Sequence, residues 1–256
     1  MTQILGIVNI TPDSFWSGSR VQDRQTLVER VRQMIRQGAD AIDVGGCSTR
    51  PNAVQATGEQ EMERLKWGLD AIREEFPDIL LSVDTYRPRI AEHCIREWNV
   101  GIINDVYGGN ADMYKVVAET GVQYVLMWSE TIKEDPVGEM MSFFKERLQV
   151  MKKAGVDVNR KVILDPGYGF GKTVEQNYTV LANQSRLCEF GLPLLSALSR
   201  KSMAWKLLGI TPDEALPATI AMNTVALMNG ADWIRVHDVA EAAQTVRIIQ
   251  ALNDNM

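Results

Sequence analysis

Three aliphatic residues at 162–164 lead into Asp165, and a glycine-rich segment follows, reading Asp165-Pro166-Gly167-Tyr168-Gly169-Phe170-Gly171-Lys172. In α/β proteins, an acid at the end of a strand before a glycine-rich turn is a common position for ligand chemistry. A plain connector, in which glycine supplies positive φ angles, explains the pattern about equally well. A Walker A loop would need glycine where Pro166 stands, and alternating glycines do not match GxGxxG. The segment therefore disfavours a nucleotide-phosphate cradle and directs attention to Asp165.

Polar side chains also follow the other apolar runs of the chain. They are Asn9 and Asp13, then Ser48-Thr49-Arg50-Pro51, Asp84-Thr85, Asn104-Asp105, Met127-Trp128, Ser199-Arg200-Lys201 and Arg235-Val236-His237. Singly, each has a structural explanation, because Asp and Asn often cap the following helix and a basic pair is often a solvated face. A lone histidine at a strand end is likewise more often structural than catalytic. Together, the acids, amides and cations favour one polar rim with a binding function.

Two kinds of chemistry are separated along this rim. Arg235 and His237 are two residues apart, so in a strand both side chains point the same way, and a guanidinium with an imidazole favours an anion such as phosphate. Asn9 offers a neutral oxygen that suits Mg2+, which takes other ligands from water and substrate phosphates. The opposite arc holds donors and acceptors suited to a flat polar heterocycle: Asp84, Asn104, Asp165 and Lys201. The pattern predicts a cup with one cationic side and one acidic side.

The elements that position these residues alternate along the whole chain. Short apolar runs predict strands at 4–10, 39–44, 79–83, 101–103, 122–127, 161–164, 194–198 and 232–236. Amphipathic or helix-spaced segments predict helices at 21–37, 59–76, 87–98, 111–120, 138–154, 174–190, from 202 onward, 212–228 and 239–252. Such alternation indicates right-handed βαβ units and a parallel sheet, and this number of units at this length predicts a (β/α)8 TIM barrel. We expect a single domain over residues 1–256.

One phrase occurs twice, at 38–44 as Gly-Ala-Asp-Ala-Ile-Asp-Val and at 230–236 as Gly-Ala-Asp-Trp-Ile-Arg-Val. In both, glycine suits the position that ends a helix in the left-handed conformation. The repetition supports regular αβ units and does not by itself define a repeat family.

Composition narrows the class of protein. Apolar residues make up 45% of the chain, charged residues 23%, and the net charge is −6, which argues against nucleic acid or an anionic membrane as the main partner. The three cysteines are scattered without a CxxC pair, so neither a disulfide framework nor a zinc site is expected. The N-terminal residues do not resemble a secretory signal, and no apolar run is long enough for a transmembrane helix. We expect a cytoplasmic protein.

Seven segments carry a family resemblance that runs from the first predicted strand to the last. They are residues 7–15 (IVNITPDSF), 46–51 (GCSTRP), 82–85 (SVDT), 103–105 (IND), 165–172 (DPGYGFGK), 198–202 (LSRKS) and 235–238 (RVHD). Together they resemble dihydropteroate synthase of folate biosynthesis. The resemblance implies a TIM-barrel transferase that condenses 6-hydroxymethyl-7,8-dihydropterin diphosphate with p-aminobenzoate and releases pyrophosphate. It also implies Mg2+ as cofactor and a homodimer.

The resemblance assigns roles to individual residues. The pterin would be held by Asp84, Asn104, Asp165 and Lys201, of which Asp84, Asp165 and Lys201 would also be catalytic. The diphosphate would be held by Asn9, Thr49, Arg235 and His237, with Asn9 also binding the metal. The p-aminobenzoate site, which sulfonamides occupy in this family, would be formed by Phe15, Arg50, Pro51, Phe170, Lys201 and Ser202. Loops at 11–20 and 45–58 would close over the substrates.

The chain departs from the family pattern at three places. Cys47 stands where Glu is usual, Trp128 stands where His is usual, and Phe15-Trp16-Ser17-Gly18-Ser19 replaces the common Ser-Asp-Gly-Gly. These changes bear on supporting hydrogen bonds and loop order. Trp128 is expected to fill the core at the rim, and the alternative is a ring that contacts ligand. The departures keep open a non-catalytic pterin-binding homologue. A methyltetrahydrofolate methyltransferase-like enzyme is disfavoured, because a methyl donor has no diphosphate to occupy the cationic residues.

Overall fold

The computed structural model describes residues 2–10, 23–47 and 55–255. It contains eight parallel strands in the order β6-β5-β4-β3-β2-β1-β8-β7. Their bounds are β1 Gln3–Asn9, β2 Ala41–Gly45, β3 Leu80–Asp84, β4 Ile102–Asp105, β5 Gln123–Met127, β6 Val162–Asp165, β7 Leu195–Ser196 and β8 Trp233–Val236. A parallel bridge between Leu164 and Leu194 joins the two ends of this order, with the Leu164 N–H donating to the Pro193 carbonyl at 2.8 Å. The predicted TIM barrel is confirmed.

Helices lie between and around these strands. Their bounds are α1 Arg24–Gln37, α2 Gly58–Glu75, α3 Pro88–Trp98, α4 Ala111–Thr120, α5 Pro136–Lys153, α6 Val158–Lys161, α7 Val174–Ala182, a 3-10 helix Gln184–Phe190, α8 Ser202–Leu208, α9 Leu216–Met228 and α10 Val239–Asn253. The helix predicted from 138 begins earlier, because Pro136 suits a first turn and Asp135 caps the N–H groups of Val137 and Gly138. The segment predicted as one helix over 174–190 changes to 3-10 geometry after Asn183. The strand predicted over 194–198 keeps regular pairing only at Leu195 and Ser196.

Alternation along the strands divides the apolar side chains between two cores. Inside the barrel, an apolar cluster is formed by Leu5, Ala41, Ile102, Val125, Ile163, Leu195, Ala197 and Trp233. The residues between them pack outward with the helices in a second, larger cluster that includes Ile4, Ile42, Ile103 and Ile234. Because side chains two apart share a face, the residues two positions after the interior apolar ones also point inward. On β2, β4, β6 and β8 these residues are polar: Asp43, Asn104, Asp165 and Arg235. The barrel therefore places a polar layer directly above an apolar floor.

The repeated phrase has a structural cause at the opposite end of the barrel. The Asp40 carboxylate accepts a hydrogen bond from the Ile4 N–H at 2.7 Å, and the Asp232 carboxylate accepts one from the Leu194 N–H at 2.9 Å. In each case the aspartate ties the start of its own strand to the start of the neighbouring strand. The preceding glycines, Gly38 and Gly230, end their helices with φ angles of 103° and 88°. The repetition is thus one solution to the same turn, used on both sides of β1.

Candidate active site at the mouth of the barrel

Arg235 of β8 reaches across the barrel mouth to the acidic residues of β2 and β3. Its Nε donates to Asp43 Oδ2 at 2.6 Å, and its Nη2 donates to Asp84 Oδ2 at 2.9 Å. Burial acts to lower the pKa of Arg235, but the carboxylates of Asp43 and Asp84 outweigh it and raise the pKa. The predicted cationic and acidic sides are therefore joined by one side chain instead of facing each other across an open cup.

Asp43 is a central acceptor that the strand-end pattern of the sequence does not indicate. Besides Arg235, its carboxylate accepts hydrogen bonds from the Ser82 hydroxyl and from Asn104 Nδ2, the latter at 3.1 Å. The side chain is completely buried. Asp43 lies inside β2 and not after it, so a rule based on strand ends passes over it. The signal that does mark it is a charged residue within an otherwise apolar strand, two positions after the small interior residue Ala41.

Asp84 and Asn104 present acceptor oxygens at the same level of the barrel. The two residues are paired in register on neighbouring strands. Among the described residues, Asp84 Oδ1 and Asn104 Oδ1 are buried and have no hydrogen-bond partner. Burial raises the pKa of Asp84, and Arg235 offsets part of that increase. Because buried acceptors without partners are costly, these two oxygens fit a ligand that brings N–H donors.

Asp165 and Lys201 act on each other through their charges, and Lys201 also lies over the ring of Phe170. Asp165 Oδ1 accepts from the Gly167 N–H at 2.7 Å, and burial raises the pKa of Asp165. Lys201 Nζ lies 4.5 Å from the centroid of the Phe170 ring, within cation–π range. Burial lowers the pKa of Lys201 to about 8, although the charge of Asp165 opposes the decrease. The charges of Arg235 and Asp84 also act on Lys201, which places both halves of the predicted site in one electrostatic unit.

Two glycines of the 165–172 segment are required by close backbone approaches. Gly167 has φ +63°, and a Cβ there would lie 2.0 Å from the Trp128 carbonyl oxygen. Gly171 has φ +58°, and a Cβ there would lie 2.0 Å from the Glu130 carbonyl oxygen. The segment is therefore pressed against the chain that follows β5. Both explanations of the motif hold, since the glycines shape a tight connector and the connector orients Asp165 and Phe170.

His237 is held as a neutral side chain beside several cations. Its Nδ1 is 2.9 Å from the Ser199 hydroxyl, and its carbonyl oxygen accepts from Arg30 Nη2 at 2.9 Å. Burial lowers the pKa of His237 to about 3, and the charges of Arg235, Arg200, Arg30 and Lys201 add to that effect. A Ser199 hydroxyl that donates to Nδ1 leaves the ring proton on Nε2. His237 can then act as a hydrogen-bond donor to an anion without carrying charge.

Arg200 is a buried clamp, which excludes the solvated-face explanation of the Arg200-Lys201 pair. Its guanidinium bonds both oxygens of Asp238 at 3.0 Å and also donates to the carbonyls of Pro212 and Asp213. Its backbone adopts φ +53°, an uncommon conformation for a residue with a side chain. The clamp fixes the turn between β7 and α8, from which Lys201 enters the site.

The unusual residues at 47 and 128 lie at the edge of this site. Trp128 is buried and packs edge-on against Phe143 at 5.0 Å between ring centroids, as expected of a core filler. Cys47 is buried, and its side chain interacts with Arg87. The carboxylate that pairs with Arg87 comes from Glu61 of α2. Cys47 therefore lies beside the Arg87–Glu61 ion pair, in which the acid comes from α2 and not from position 47.

The remaining predicted site residues lie at the end of β1, at the start of α8, or outside the described residues. Asn9 ends β1 and is half-buried, and its Oδ1 lies 3.3 Å from the position that a Cβ on Gly45 would take. Ser202 is the first residue of α8. Phe15, Thr49, Arg50 and Pro51, with most of both predicted substrate loops, lie outside the described residues.

The described residues contain neither a cluster of metal-ligating side chains nor a membrane-spanning helix. No group of three or more His, Cys, Asp or Glu side chains there could hold a metal ion. No helix of the described chain has the length and apolar composition needed to cross a membrane.

Comparisons with known proteins place this geometry in context. A family model described as pterin binding enzyme matches residues 5–237. Dihydropteroate synthase of Clostridium beijerinckii is 40% identical over 252 residues, covering 96% of this chain and 93% of the relative. A Yersinia pestis dihydropteroate synthase structure with a sulfonamide drug superposes with a TM-score of 0.94 at 33% identity, covering 99% of this chain and 94% of that one. A Xanthomonas albilineans dihydropteroate synthase structure with 4-aminobenzoic acid gives 0.90 at 34% identity, covering 98% and 93%.

The close approach at Gly167 yields a stability prediction with a matched control. Gly167→Ala should lower the free energy of unfolding by about 2–4 kcal/mol, because the left-handed backbone and the clash with the Trp128 carbonyl both oppose a Cβ. Gly191 has a similar φ of +64°, and no atom lies within 4 Å of the position that a Cβ there would take. Gly191→Ala should therefore cost only about 1 kcal/mol. Urea unfolding of both variants measures the difference, and equal losses would contradict the packing described for the 165–172 segment.

Proposed function

The chain belongs to the family of pterin-binding enzymes, and from this premise we propose that it is a dihydropteroate synthase. It is then a transferase that joins 6-hydroxymethyl-7,8-dihydropterin diphosphate to p-aminobenzoate, giving 7,8-dihydropteroate and pyrophosphate. The resemblance predicted from the sequence is confirmed, since relatives that match nearly the whole chain are dihydropteroate synthases. The observation that carries the proposal is the buried polar layer at the barrel mouth, where Arg235 bridges Asp43 and Asp84.

The pterin is assigned to Asp84, Asn104, Asp165 and Lys201. The free oxygens of Asp84 and Asn104 can accept from the ring N–H and amino groups of a pterin. Lys201 can donate to the ring carbonyl, and the buried Asp165 supplies a further acceptor beside it. The apolar floor beneath, which includes Ile102 and Ile163, suits the face of a flat ring.

The diphosphate is assigned to Arg235, His237 and Asn9, together with Thr49. Arg235 has Nη1 in addition to the groups already bonded to Asp43 and Asp84, and His237 can donate from Nε2. For Mg2+, Asn9 offers a single neutral oxygen, which fits an ion that keeps waters and binds substrate phosphates better than it fits a cage of protein carboxylates. Bound there, Mg2+ would supply positive charge to the departing phosphate oxygens.

The p-aminobenzoate site is assigned to Phe170, Lys201 and Ser202, with Phe15, Arg50 and Pro51. Lys201 beside the Phe170 ring combines a cation with an aromatic wall, which suits a benzoate. Ser202 is the first residue of the helix that follows Lys201, so it is the immediate neighbour of that cation.

The proposed reaction needs little acid–base chemistry from the chain. The bond between the pterin methylene carbon and the diphosphate oxygen breaks, and the oxygen keeps the electron pair. Positive charge left at the methylene is stabilised by the carboxylates of Asp84 and Asp165, which are fixed in place before the reaction. The aromatic amine then bonds to the methylene carbon and releases a proton to solvent. The neutral amine is nucleophilic enough that a strong base is unnecessary.

The assignment of Arg235 predicts unequal effects on the two substrates. Arg235→Ala should raise KM for the pterin diphosphate at least tenfold more than KM for p-aminobenzoate, because only the diphosphate loses a charged partner. Arg73→Ala is a matched control. Arg73 is also a hydrogen-bonded arginine, but it donates to the backbone carbonyls of Trp98, Pro77 and Ile79 and is not part of the site at the mouth. Initial rates of pyrophosphate and dihydropteroate release with Mg2+ provide the measurement.

The same assay tests the function itself. Absence of both products with the wild-type chain would remove the synthase proposal, and pterin binding without turnover would favour the non-catalytic homologue. Equal KM increases for both substrates in Arg235→Ala would remove the diphosphate role of this residue.

The lowered pKa of Lys201 predicts the alkaline limb of the activity profile. Lys201 is charged below its pKa of about 8 and neutral above it, so kcat/KM should fall as pH rises through that value. In Lys201→Arg the side chain stays protonated, so residual activity should lose this limb and stay level to about pH 9.5. A wild-type profile that is level over the same range would contradict a need for the Lys201 charge.

We also propose that the chain forms a homodimer through α8, α9 and α10. Large apolar side chains are exposed there: Leu207, Leu208, Val225, Met228, Ile248 and Leu252. Helix α9 packs against both neighbours, so these residues fall on adjoining helices. Exposed apolar side chains on adjoining helices are typical of subunit interfaces. The cytoplasmic location expected from the sequence stays a prediction.

The dimer has a direct test. Met228→Glu should convert a dimer into a monomer in light scattering, because it buries an unpaired charge at the interface. Val150 of α5 is an exposed apolar residue on another helix, and Val150→Glu should leave the mass unchanged. A wild-type chain that is monomeric at all concentrations would exclude the interface.

A further inference from the structure

We propose that Asp43 determines substrate specificity by fixing which end of the Asn104 amide faces the ligand. Asp43 is a positioning residue in this account, because it acts through Asn104. The inference rests on the proposed pterin site and adds to it the reason why that site would select an amino-substituted ring.

Asp43 sets the direction of the Asn104 amide. Asn104 Nδ2 lies 3.1 Å from Asp43 Oδ2, and the same oxygen accepts from Arg235 Nε. A carboxylate paired with a guanidinium has acceptors only, so it can bind the NH2 end of the amide and repels the carbonyl end. Turning Asn104 around would place two oxygens against each other. The amide orientation is therefore set by chemistry and not by shape, since the two ends of an amide have nearly the same size.

This orientation leaves the Asn104 carbonyl oxygen facing the ligand. Asn104 is 2% exposed, and its Oδ1 has no partner among the described residues. Asp84, its register partner on β3, likewise presents Oδ1 without a described partner. The pair of oxygens forms an acceptor edge that matches adjacent N–H donors, such as a ring N–H with an exocyclic amine. A ring with a carbonyl in place of the amine would leave oxygen facing oxygen.

Asp43 is itself held in one orientation by several partners. Its other oxygen accepts from the Ser82 hydroxyl, and the carboxylate is held by residues of β3, β4 and β8 at once. Complete burial leaves no solvent to replace these donors. Sites that hydrogen-bond a substrate N–H through buried groups discriminate strongly, because an analogue without it leaves those groups unpaired.

The test compares two ligands in direct binding, without diphosphate or Mg2+. The probes are 6-hydroxymethylpterin and 6-hydroxymethyllumazine, in which a carbonyl replaces the 2-amino group. Isothermal titration should show that the wild-type chain prefers the pterin by at least about a hundredfold. In Asp43→Ala, no acceptor holds the NH2 end of the Asn104 amide, so Asn104 can turn and donate to the lumazine carbonyl. The preference should then fall at least tenfold.

Asp105→Ala is the matched control. Asp105 is also completely buried and adjoins Asn104 in sequence, but its carboxylate accepts from Tyr124 and from the Tyr107 N–H. Loss of this acid should cost stability while leaving the pterin-to-lumazine preference at the wild-type value. Asn104→Ala should lose the preference, and adding Asp43→Ala to it should cause no further loss, because coupled residues are not additive.

The outcomes separate this inference from the proposed function. A wild-type chain that binds neither probe overturns both. A wild-type chain that prefers the pterin, with Asp43→Ala weakening both ligands equally, overturns only the role of Asp43 and makes the residue a structural support. If Asp43→Ala does not fold, Asp43→Ser is used, since the serine hydroxyl can donate to or accept from Asn104, and the same two outcomes decide.

Discussion

The site depends on a cation, Arg235, held between two carboxylates at the mouth of the barrel. Removing such charges from water costs several kcal/mol for each ion, so buried ion pairs are weak evidence for stability. Here the bonds from Arg235 to Asp43 and Asp84 connect β8 with β2 and β3 across β1. Their value lies in holding polar groups ready for a ligand, because groups fixed in advance need no reorganisation when charge develops. The arrangement favours function over maximal stability.

The barrel makes this layer possible by using one alternation for two purposes. Along β2, β4, β6 and β8, an apolar interior residue is followed two positions later by a polar one: Ala41 by Asp43, Ile102 by Asn104, Ile163 by Asp165, and Trp233 by Arg235. The lower residues close the floor, and the upper ones become the site. Because these groups stand on strands, their positions are set by sheet hydrogen bonds and need no support from loops.

Much of this arrangement follows from the sequence, and the exceptions have physical causes. Short apolar runs predict all eight strands, and the strand-end rule finds Asp84, Asn104, Asp165, Arg235 and His237. It misses Asp43, which lies within a strand. The strand-end rule also predicts that cations and acids lie on separate sides, which is wrong because Arg235 reaches the acids. Strand order determines where the backbone lies, but not how far an arginine side chain extends. Helix bounds differ where local capping decides them, as Asp135 does at the start of α5.

The electrostatics of the site show why whole-chain charge and local potential are separate quantities. The chain carries a net charge of −6, which disfavours polyanionic partners, yet Arg30, Arg200, Arg235 and Lys201 all act on His237. Their combined field, added to burial, keeps this histidine neutral. A protonated imidazole there would add one more buried charge to an already cationic surrounding. A neutral His237 ring can donate a hydrogen bond to an anion without adding to this charge. The positive charge that attracts a diphosphate then comes from the arginines, which stay protonated at every physiological pH.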